Sequence, residues 1–258
     1  YIYFSHKSSD GHIGGQFFHG VTSKRWEFFP LRRENHNLQA LKDYIRKAGP
    51  PLVIKSKNAK SETGEAWTNV LQNYMIGTKT TEPHHPHQNP AEPEWGRLQT
   101  MIKNVLRQSK APIGLVNWTA LYCCQINNHM SRESLKWRTP MEVSTGNTPD
   151  LSKFRFYFYE PLWYFEPKMK LPRPNLLKCR YLAIAESCGD AMTYYILTEP
   201  EHDSRSRQVL MRSVIKTRRR NIGQASEYVN NDPAMESFTL SLEESLSLIH
   251  ISEPTRQE

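Results

Sequence analysis

The sequence predicts an α/β fold that is followed by a smaller β-rich region. Two observations lead to this class: the order of the predicted elements before Asp150, and a change of composition after it. Before Asp150, two strands, a helix, a strand, a helix and a strand precede a series of helices. That order is typical of a mixed central sheet with helices on both faces.

The elements of the first region follow from composition and periodicity. Two aromatic runs, residues 14–20 and 25–31, flank a Thr-Ser-Lys turn and predict a hairpin. Apolar residues at helical spacing then predict a helix that ends at Gly49. The run LVIK from Leu52 predicts a short buried strand, and the run TKTT from Thr78 predicts another. Further helical patterns lie at 67–74, 95–105 and 116–130, and a turn-rich exit follows at 139–150.

The second region has the composition of short strands. The runs FRFYFYEPLWYFEP, RYLAIAES, TYYILTE and RQVLMRSVIK are separated by Gly, Pro and Asp, which favours a small antiparallel sheet or barrel. The basic run KTRRR closes this region, and the polar, acidic sequence after it predicts disorder. We therefore predict domains at 1–150 and 151–220, with a tail at 221–258.

Charge is distributed unevenly along the 258 residues. The net charge is +8, but residues 1–220 carry 33 basic and 19 acidic side chains, a net charge of +14. A basic folded part with an acidic tail indicates a polyanionic partner such as nucleic acid, although a well-solvated basic surface is the alternative. No apolar run approaches the length of a membrane span, so a membrane partner is not expected.

Lys57 and Glu92 occupy the positions where a nuclease-like or transferase-like α/β enzyme would carry acids. Lys57 ends a predicted strand, Glu92 opens the predicted long helix, and 34 residues separate them. Enzymes that use two divalent metals for phosphodiester chemistry need carboxylates that converge on the phosphate. A lysine at one of these positions raises the question of whether the acid has been lost.

Five blocks of the sequence resemble the integrase region of copia-type long-terminal-repeat retrotransposons, with the closest likeness to elements found in diatoms. The blocks are SKNAKSETGEAW, TTEPHHPHQNPAE, NWTALYCCQINNH, TPMEVSTGNTPD and CGDAMTYYILTEPE. The resemblance runs in register over about residues 3–218. It implies an RNase H-like core, Mg²⁺-dependent strand transfer of element DNA into target DNA, and a small β-rich DNA-binding domain behind the core. It also allows a homo-oligomer and, in a eukaryotic host, a nuclear location.

The resemblance places the family's helix acid at Glu92 and its strand-end aspartate at Lys57. The family's first-strand aspartate would fall at or just before Tyr1, so it is either replaced or cut off. Pro93 follows Glu92 where the family usually has a basic residue, and a proline is tolerated in a first helical turn. Since an ammonium group supplies no ligand oxygen and repels a metal ion, we expect impaired Mg²⁺ binding and a catalytically inactive copy.

Several basic residues are predicted to contact DNA phosphates. They follow the strand before Lys57 or lie on the long helix and in the closing basic run, and ordinary solvated charge is the alternative for each of them. The predicted DNA-binding residues are Lys55, Lys60, Arg97, Lys103, Arg107, Arg218, Arg219 and Arg220.

Other candidate sites have plainer interpretations. The loop histidines His84, His85 and His87 could bind zinc, but no partner at useful spacing is evident, and a solvated loop is favoured. The adjacent pair Cys123 and Cys124 lies in an apolar helical pattern and is predicted to be core. Trp67, Trp95 and Trp118 are likewise predicted to be core before they are base-stacking surfaces, and Asp10 is predicted to lie in a turn.

Three features suggest a decaying or truncated copy. The family tends to have glycine where Cys179 and Ala183 stand, the chain lacks an initiating Met, and residues 246–256 resemble an in-frame translation of a sequencing adapter. Two alternatives to an inactive integrase fragment follow: a DNA-binding remnant without catalysis, and a pseudogene product that no longer folds stably.

Overall fold

The structure is a computed structural model. It describes residues 2–56, 64–81, 89–167, 175–188, 192–199 and 207–217. The chain divides into two units, residues 1–215 and 216–258, and Lys216 and Thr217 are the described residues of the second unit. The first unit combines helices with antiparallel and parallel strands, so it is a mixed α/β fold.

An antiparallel hairpin lies at the centre of the first region. Strand β2 (Gly14–His19) pairs with β3 (Trp26–Leu31), and the two-residue strand β1 (Ile2–Tyr3) lies on the other side of β2. The predicted hairpin is confirmed. Its Phe17 and Phe28 are cross-strand partners, and both are buried in one apolar cluster with residues from two helices.

A parallel pair of strands forms a separate sheet beside helix α1 (Asn37–Ala48). Strand β4 (Val53–Ser56) runs parallel to β5 (Gly77–Thr80), and helix α2 (Glu65–Asn73) connects them in the chain. The sequence predicts one mixed sheet. Within the described ranges, hydrogen bonds instead define the hairpin sheet and this parallel pair as two sheets.

Gly49 ends α1 with a positive φ of 83°, a conformation that a glycine adopts without steric cost. Leu41 and Ile45 of this helix then pack against Trp67, Val70 and Leu71 of α2. The predicted amphipathic faces of both helices are therefore confirmed.

Two long helices cover the hairpin. Helix α3 (Ala91–Ser109) and helix α4 (Val116–His129) contribute Leu98, Ile102, Ala120 and both adjacent cysteines to the cluster that contains Phe17 and Phe28. Helix α5 (Pro140–Thr145) follows, where the sequence predicted only a turn-rich exit. The signals for α5 are present in sequence: the Thr139 hydroxyl accepts the Glu142 amide at 3.1 Å, and Pro140 occupies the first helical position.

The region after Asp150 forms an antiparallel sheet. Strands β6 (Pro161–Phe165), β7 (Leu176–Ile184), β8 (Tyr194–Thr198) and β9 (Val209–Arg212) pair in that order, and the short strand β10 (Ile215–Thr217) follows. The predicted antiparallel strands are confirmed from 161 onward. Barrel-like closure of this sheet stays a prediction.

This sheet packs directly against the helices of the first region. Leu182 and Leu197 are buried with Ala111 and Leu115, which lie between α3 and α4. Cys179 and Ala183, both in β7, are also buried, and the register between β7 and β8 shifts between Tyr181 and Ala183. The predicted boundary at 150 stays a prediction, but apolar packing within the first unit continues across it.

Candidate nucleic-acid interface

Glu92 lies in the first turn of α3, where the sequence predicted it. The turn before the helix is formed by Asn89, whose side-chain oxygen accepts the Ala91 amide at 3.1 Å and whose carbonyl accepts the Glu92 amide at 3.1 Å. Pro93 is the third residue of the helix and does not break it. Glu92 is half-buried, and its Oε1 is shielded from solvent.

A second acid of the same helix, Glu94, is buried and fixes the rotation of its first turn. Its Oε2 accepts the indole N–H of Trp26 at 3.1 Å, and its Oε1 accepts a guanidinium N–H of Arg97 at 2.8 Å. Trp26 is itself held by Asn128, whose side chain bonds both its backbone N–H and its carbonyl. Because Glu94 points into the protein, Glu92 must point to a different side of the helix.

The buried surroundings of Glu94 are polar. The Arg132 guanidinium lies 3.8 Å from its carboxylate and 5.5 Å from the Trp26 ring centre. His19, at the end of β2, is also close, and burial lowers the pKa of its ring although Glu94 acts in the opposite direction. The backbone carbonyl of Pro90 also raises the pKa of the His19 ring. Both ring nitrogens are shielded from solvent, and neither forms a hydrogen bond of good geometry with a described residue.

Two of the predicted DNA-binding residues, Lys103 and Arg107, leave the exposed side of α3 in nearly the same direction as Glu92. At the pitch of an α-helix, Lys103 lies about 20° around the axis from Glu92 and Arg107 about 60°, with Lys103 roughly 16 Å along the helix. Both are exposed. Gly96 lies between them and Glu92, and the space beyond its Cα is open. We call Glu92, Gly96, Lys103 and Arg107 the α3 stripe.

Arg97 is oriented differently from the residues of the α3 stripe. It lies about 140° around the axis from Glu92. Its guanidinium forms an ion pair with Glu94 at 2.8 Å, with 64% of the side chain exposed. Of the three basic residues predicted on this helix, Lys103 and Arg107 therefore share a side with Glu92, whereas Arg97 does not.

A second basic feature lies on the parallel strands. The register of β4 and β5 pairs Lys55 with Lys79, and both residues are exposed. Adjacent residues of parallel strands point to the same face, so both lysine side chains leave the sheet on the same side. Sequence reasoning identified Lys55 but missed Lys79. The signal was available, because the runs VIKS and TKT place a lysine at equivalent positions.

Several predicted site residues lie outside the described ranges. They are Tyr1, Lys57, Lys60, the histidines His84, His85 and His87, the basic residues Arg218, Arg219 and Arg220, and the adapter-like residues 246–256. The predicted meeting of position 57 with Glu92 therefore stays a prediction.

The implied magnesium site is not assembled by the part of the chain that the structure describes. No group of three or more His, Cys, Asp or Glu side chains in those ranges could hold a metal ion. Glu92 is the one described residue of the carboxylate set that the resemblance implies. The described residues do not fit the metal, and no catalytic step through it follows from them.

Other polar and reactive groups have structural roles. Asp10 accepts the indole N–H of Trp118 at 2.5 Å and the side-chain N–H of Asn117 at 3.0 Å, which anchors its turn to α4. Cys123 and Cys124 are buried as predicted, and burial raises the pKa of both thiols, to about 12 for Cys123. These thiols stay protonated, as expected of packing residues. No helix among the residues described could cross a membrane.

Comparison with known proteins gives structural neighbours only. No family model and no curated protein matches the sequence. The trimeric form of the HTLV-2 integrase catalytic core domain in complex with magnesium matches with a TM-score of 0.44 and 13% identity, over 54% of this chain and 89% of that one. The dimeric form matches with a TM-score of 0.41 and 14% identity, over 51% and 83%.

A larger assembly is also among these neighbours. The simian T-cell lymphotropic virus intasome in complex with the PP2A regulatory subunit B56 gamma matches with a TM-score of 0.47 and 12% identity. That likeness covers 84% of this chain and 76% of the other. Retroviral integrase structures are therefore among the structural neighbours of this protein.

Proposed function

We propose that this protein is a copia-type retrotransposon integrase relative that binds DNA and does not carry out strand transfer. The observation that carries the proposal is the α3 stripe, where Lys103 and Arg107 lie on the exposed side of the helix near the direction of Glu92. Cations beside the remaining acid would bind the phosphates of a DNA backbone. The sequence resemblance supplies the class of substrate, namely element ends and target DNA.

Loss of strand transfer follows from the residue at position 57. If Lys57 stands where the family carries a metal-binding aspartate, a repulsive charge replaces an attractive one. Two unit charges about 4 Å apart interact by roughly 4 kcal/mol at an effective dielectric constant of about 20, and a divalent ion doubles this. Mg²⁺ remains the cofactor that the resemblance implies, and we propose that its binding here is impaired.

A strand-transfer assay tests this part of the proposal. The purified protein is incubated with labelled element-end DNA and a target plasmid, with Mg²⁺ in one series and Mn²⁺ in another. We expect no joined product beyond that given by Glu92→Gln, which removes the remaining acid with little change of size. Metal-dependent joining by the unmodified protein, absent in Glu92→Gln, would show that Lys57 does not abolish the chemistry.

The paired lysines Lys55 and Lys79 offer a second surface for DNA binding without catalysis. Both side chains are exposed and leave the parallel strands on the same face. We propose that this pair is a further phosphate contact. A homo-oligomer and a nuclear location in a eukaryotic host complete the proposal.

The competing explanation is a chain that does not fold. A single sharp thermal transition supports the proposal, because a cooperative melt indicates a packed core. A broad, non-cooperative melt would favour the pseudogene product instead.

A further inference from the structure

The outer face of strands β6 and β7 carries aromatic and basic side chains in adjacent positions. Trp163 pairs with Lys178 and Phe165 pairs with Leu176 in the antiparallel register. Cross-strand partners point to the same face of a sheet, so these four side chains share one face. The alternate residues Leu162 and Tyr164 point the other way and are buried in the core. We call Trp163, Phe165, Leu176 and Lys178 the β6–β7 face.

This face is accessible to a ligand. Phe165 is 39% exposed and Leu176 is 37% exposed, while Lys178 is exposed and Trp163 half-buried. The ammonium group of Lys178 lies 5.6 Å from the centre of the Trp163 ring, a cation–π contact. An exposed face of this kind differs from the other side of the same strands, which packs inside the protein.

Charge on this part of the sheet favours an anionic partner. Arg180, also in β7, forms an ion pair with Glu199 at 2.5 Å. Within the described ranges, the Lys178 ammonium group contacts the Trp163 ring.

We propose that the β6–β7 face binds single-stranded DNA, with unpaired bases stacked on Trp163 and Phe165 and a phosphate bound by Lys178. The choice of DNA rests on the proposed function. Exposed aromatic rings beside cations bind unpaired bases, whose faces are free, whereas the faces of bases in a duplex are already stacked on one another.

The energetics allow Lys178 to leave the Trp163 ring when a base arrives. Stacking of one base on an aromatic side chain is generally the stronger contact, and an exposed cation–π contact is the weaker one. The base can therefore replace the ammonium group over the ring. Lys178 then gains a phosphate, so the exchange keeps its charge compensated.

Fluorescence anisotropy with three labelled DNAs tests the proposal on the full chain. The probes are a short oligo(dT), an abasic oligonucleotide of equal length and charge, and a blunt duplex. We expect oligo(dT) to bind more tightly than the abasic strand, because only the former offers bases for stacking. Equal binding of these two single strands would overturn the proposal.

Variants then locate the binding face. Trp163→Leu keeps an apolar side chain but removes the ring, and we expect oligo(dT) to bind about tenfold more weakly while duplex binding is unchanged. Trp163→Phe should restore most of the affinity. The matched control is Trp137→Leu, since Trp137 is 71% exposed on a different element. Lys178→Ala should lower the salt dependence of oligo(dT) binding, and Lys178→Arg should retain it.

The outcomes also separate this proposal from the proposed function. Unchanged oligo(dT) binding in both Trp163→Leu and Phe165→Leu would overturn the β6–β7 face, even if Lys103 and Arg107 still mediate duplex binding. Tighter binding of oligo(U) than of oligo(dT) would overturn the choice of DNA. Circular dichroism melts identify a variant that fails to fold. If the aromatic variants do not fold, the salt dependence of oligo(dT) binding by Lys178→Ala tests the proposal, because its exposed side chain can be removed without disturbing the core.

Discussion

The side chain of Gln125 in helix α4 bonds both backbone polar groups of Ile184 in strand β7. Its amide N–H donates to the Ile184 carbonyl at 2.7 Å, and its Oε1 accepts the Ile184 N–H at 3.0 Å. Gln125 is buried at 3% exposure. Buried backbone groups are costly to leave unpaired, so one glutamine joins the region after Asp150 to the helices before it.

We therefore predict that Gln125→Leu destabilises the whole first unit. The leucine fills a similar volume but leaves the N–H and the carbonyl of Ile184 without partners, at a cost of about 2–4 kcal/mol. The free energy of unfolding from urea titration measures the loss. Gln72→Leu, at an exposed position of α2, should change that free energy by less than about 0.5 kcal/mol. A Gln125→Leu chain as stable as its parent would show that the two regions are not coupled through this contact.

The second prediction concerns the acid that sets the rotation of α3. Glu94→Leu removes the acceptor for the Trp26 indole and the charge beside Arg132, so we expect a loss of about 2–3 kcal/mol. Glu94→Gln keeps an oxygen for the indole and should lose less, about 1 kcal/mol. Urea titration followed by circular dichroism gives both values, with the exposed Glu34→Gln as the control. Equal losses in the leucine and glutamine variants would contradict a role for the indole bond.

A third prediction uses Lys47, which lies between two carboxylates. Its ammonium group is 2.7 Å from Glu27 and 2.8 Å from Glu186. Burial lowers the pKa of Lys47, but the two carboxylates outweigh this effect and hold the pKa above its ordinary value. A raised pKa in the folded state means that the ion pairs stabilise fully below the unfolded value, about 10.4, and are lost as the pH rises through the folded pKa.

Lys47→Met should therefore be less stable than the parent near neutral pH, and the difference should begin to shrink above about pH 10.4 and vanish once the pH exceeds the raised folded pKa. With 32% of the side chain exposed, solvent screening limits the neutral-pH difference to about 1–2 kcal/mol. Urea titrations at increasing pH measure it, and the exposed Lys42→Met on the same helix is the control. A difference that does not depend on pH would exclude the ion pairs as its cause.

Much of the fold could be predicted from the sequence because its helices are strongly periodic. The helical spacing of Leu98 and Ile102 predicted α3, and Glu92 predicted where this helix begins. The parallel register of β4 with β5, which brings Lys79 to Lys55, could not be predicted, because pairing between distant strands depends on tertiary packing. The short helix α5 was not predicted, because Thr139 and Gly146 were interpreted as turn residues. Both residue types are also common as helix caps, which is their role here.

The candidate site was harder to predict than the fold. Sequence periodicity gives the direction of Lys103 relative to Glu92, but it does not show that Arg97 is held by Glu94. Glu94 itself looked like an ordinary charged residue of a first helical turn, where an acid is usual. Its burial depends on Trp26, which is distant in sequence. Among the described hydrogen bonds, the one side-chain donor to Glu94 Oε2 is the Trp26 indole.

A fourth prediction follows from two histidines whose pKa values are lower in the folded protein than in the unfolded chain. Burial lowers the pKa of His19 against the opposing effect of Glu94, and burial also lowers the pKa of His12 against that of Asp10. The unfolded chain then binds protons more readily than the folded one, so stability should fall as the pH drops below about 6.5. His19→Asn should reduce this slope in urea titrations between about pH 7 and pH 5. A parent whose stability is constant over this range would contradict the prediction.

The last prediction tests the α3 stripe through the salt dependence of duplex binding. Each phosphate contact that is lost should lower the slope of log K against log salt by about 0.9. Lys103→Ala and Arg107→Ala should each show that change, whereas Arg97→Ala should not, because Arg97 is paired with Glu94 on another side of the helix. All three variants lose one positive charge, so a general effect of net charge would change the three slopes equally. Fluorescence anisotropy at several salt concentrations separates the two cases: three equal slopes would mean that the helix contributes charge but no defined contact.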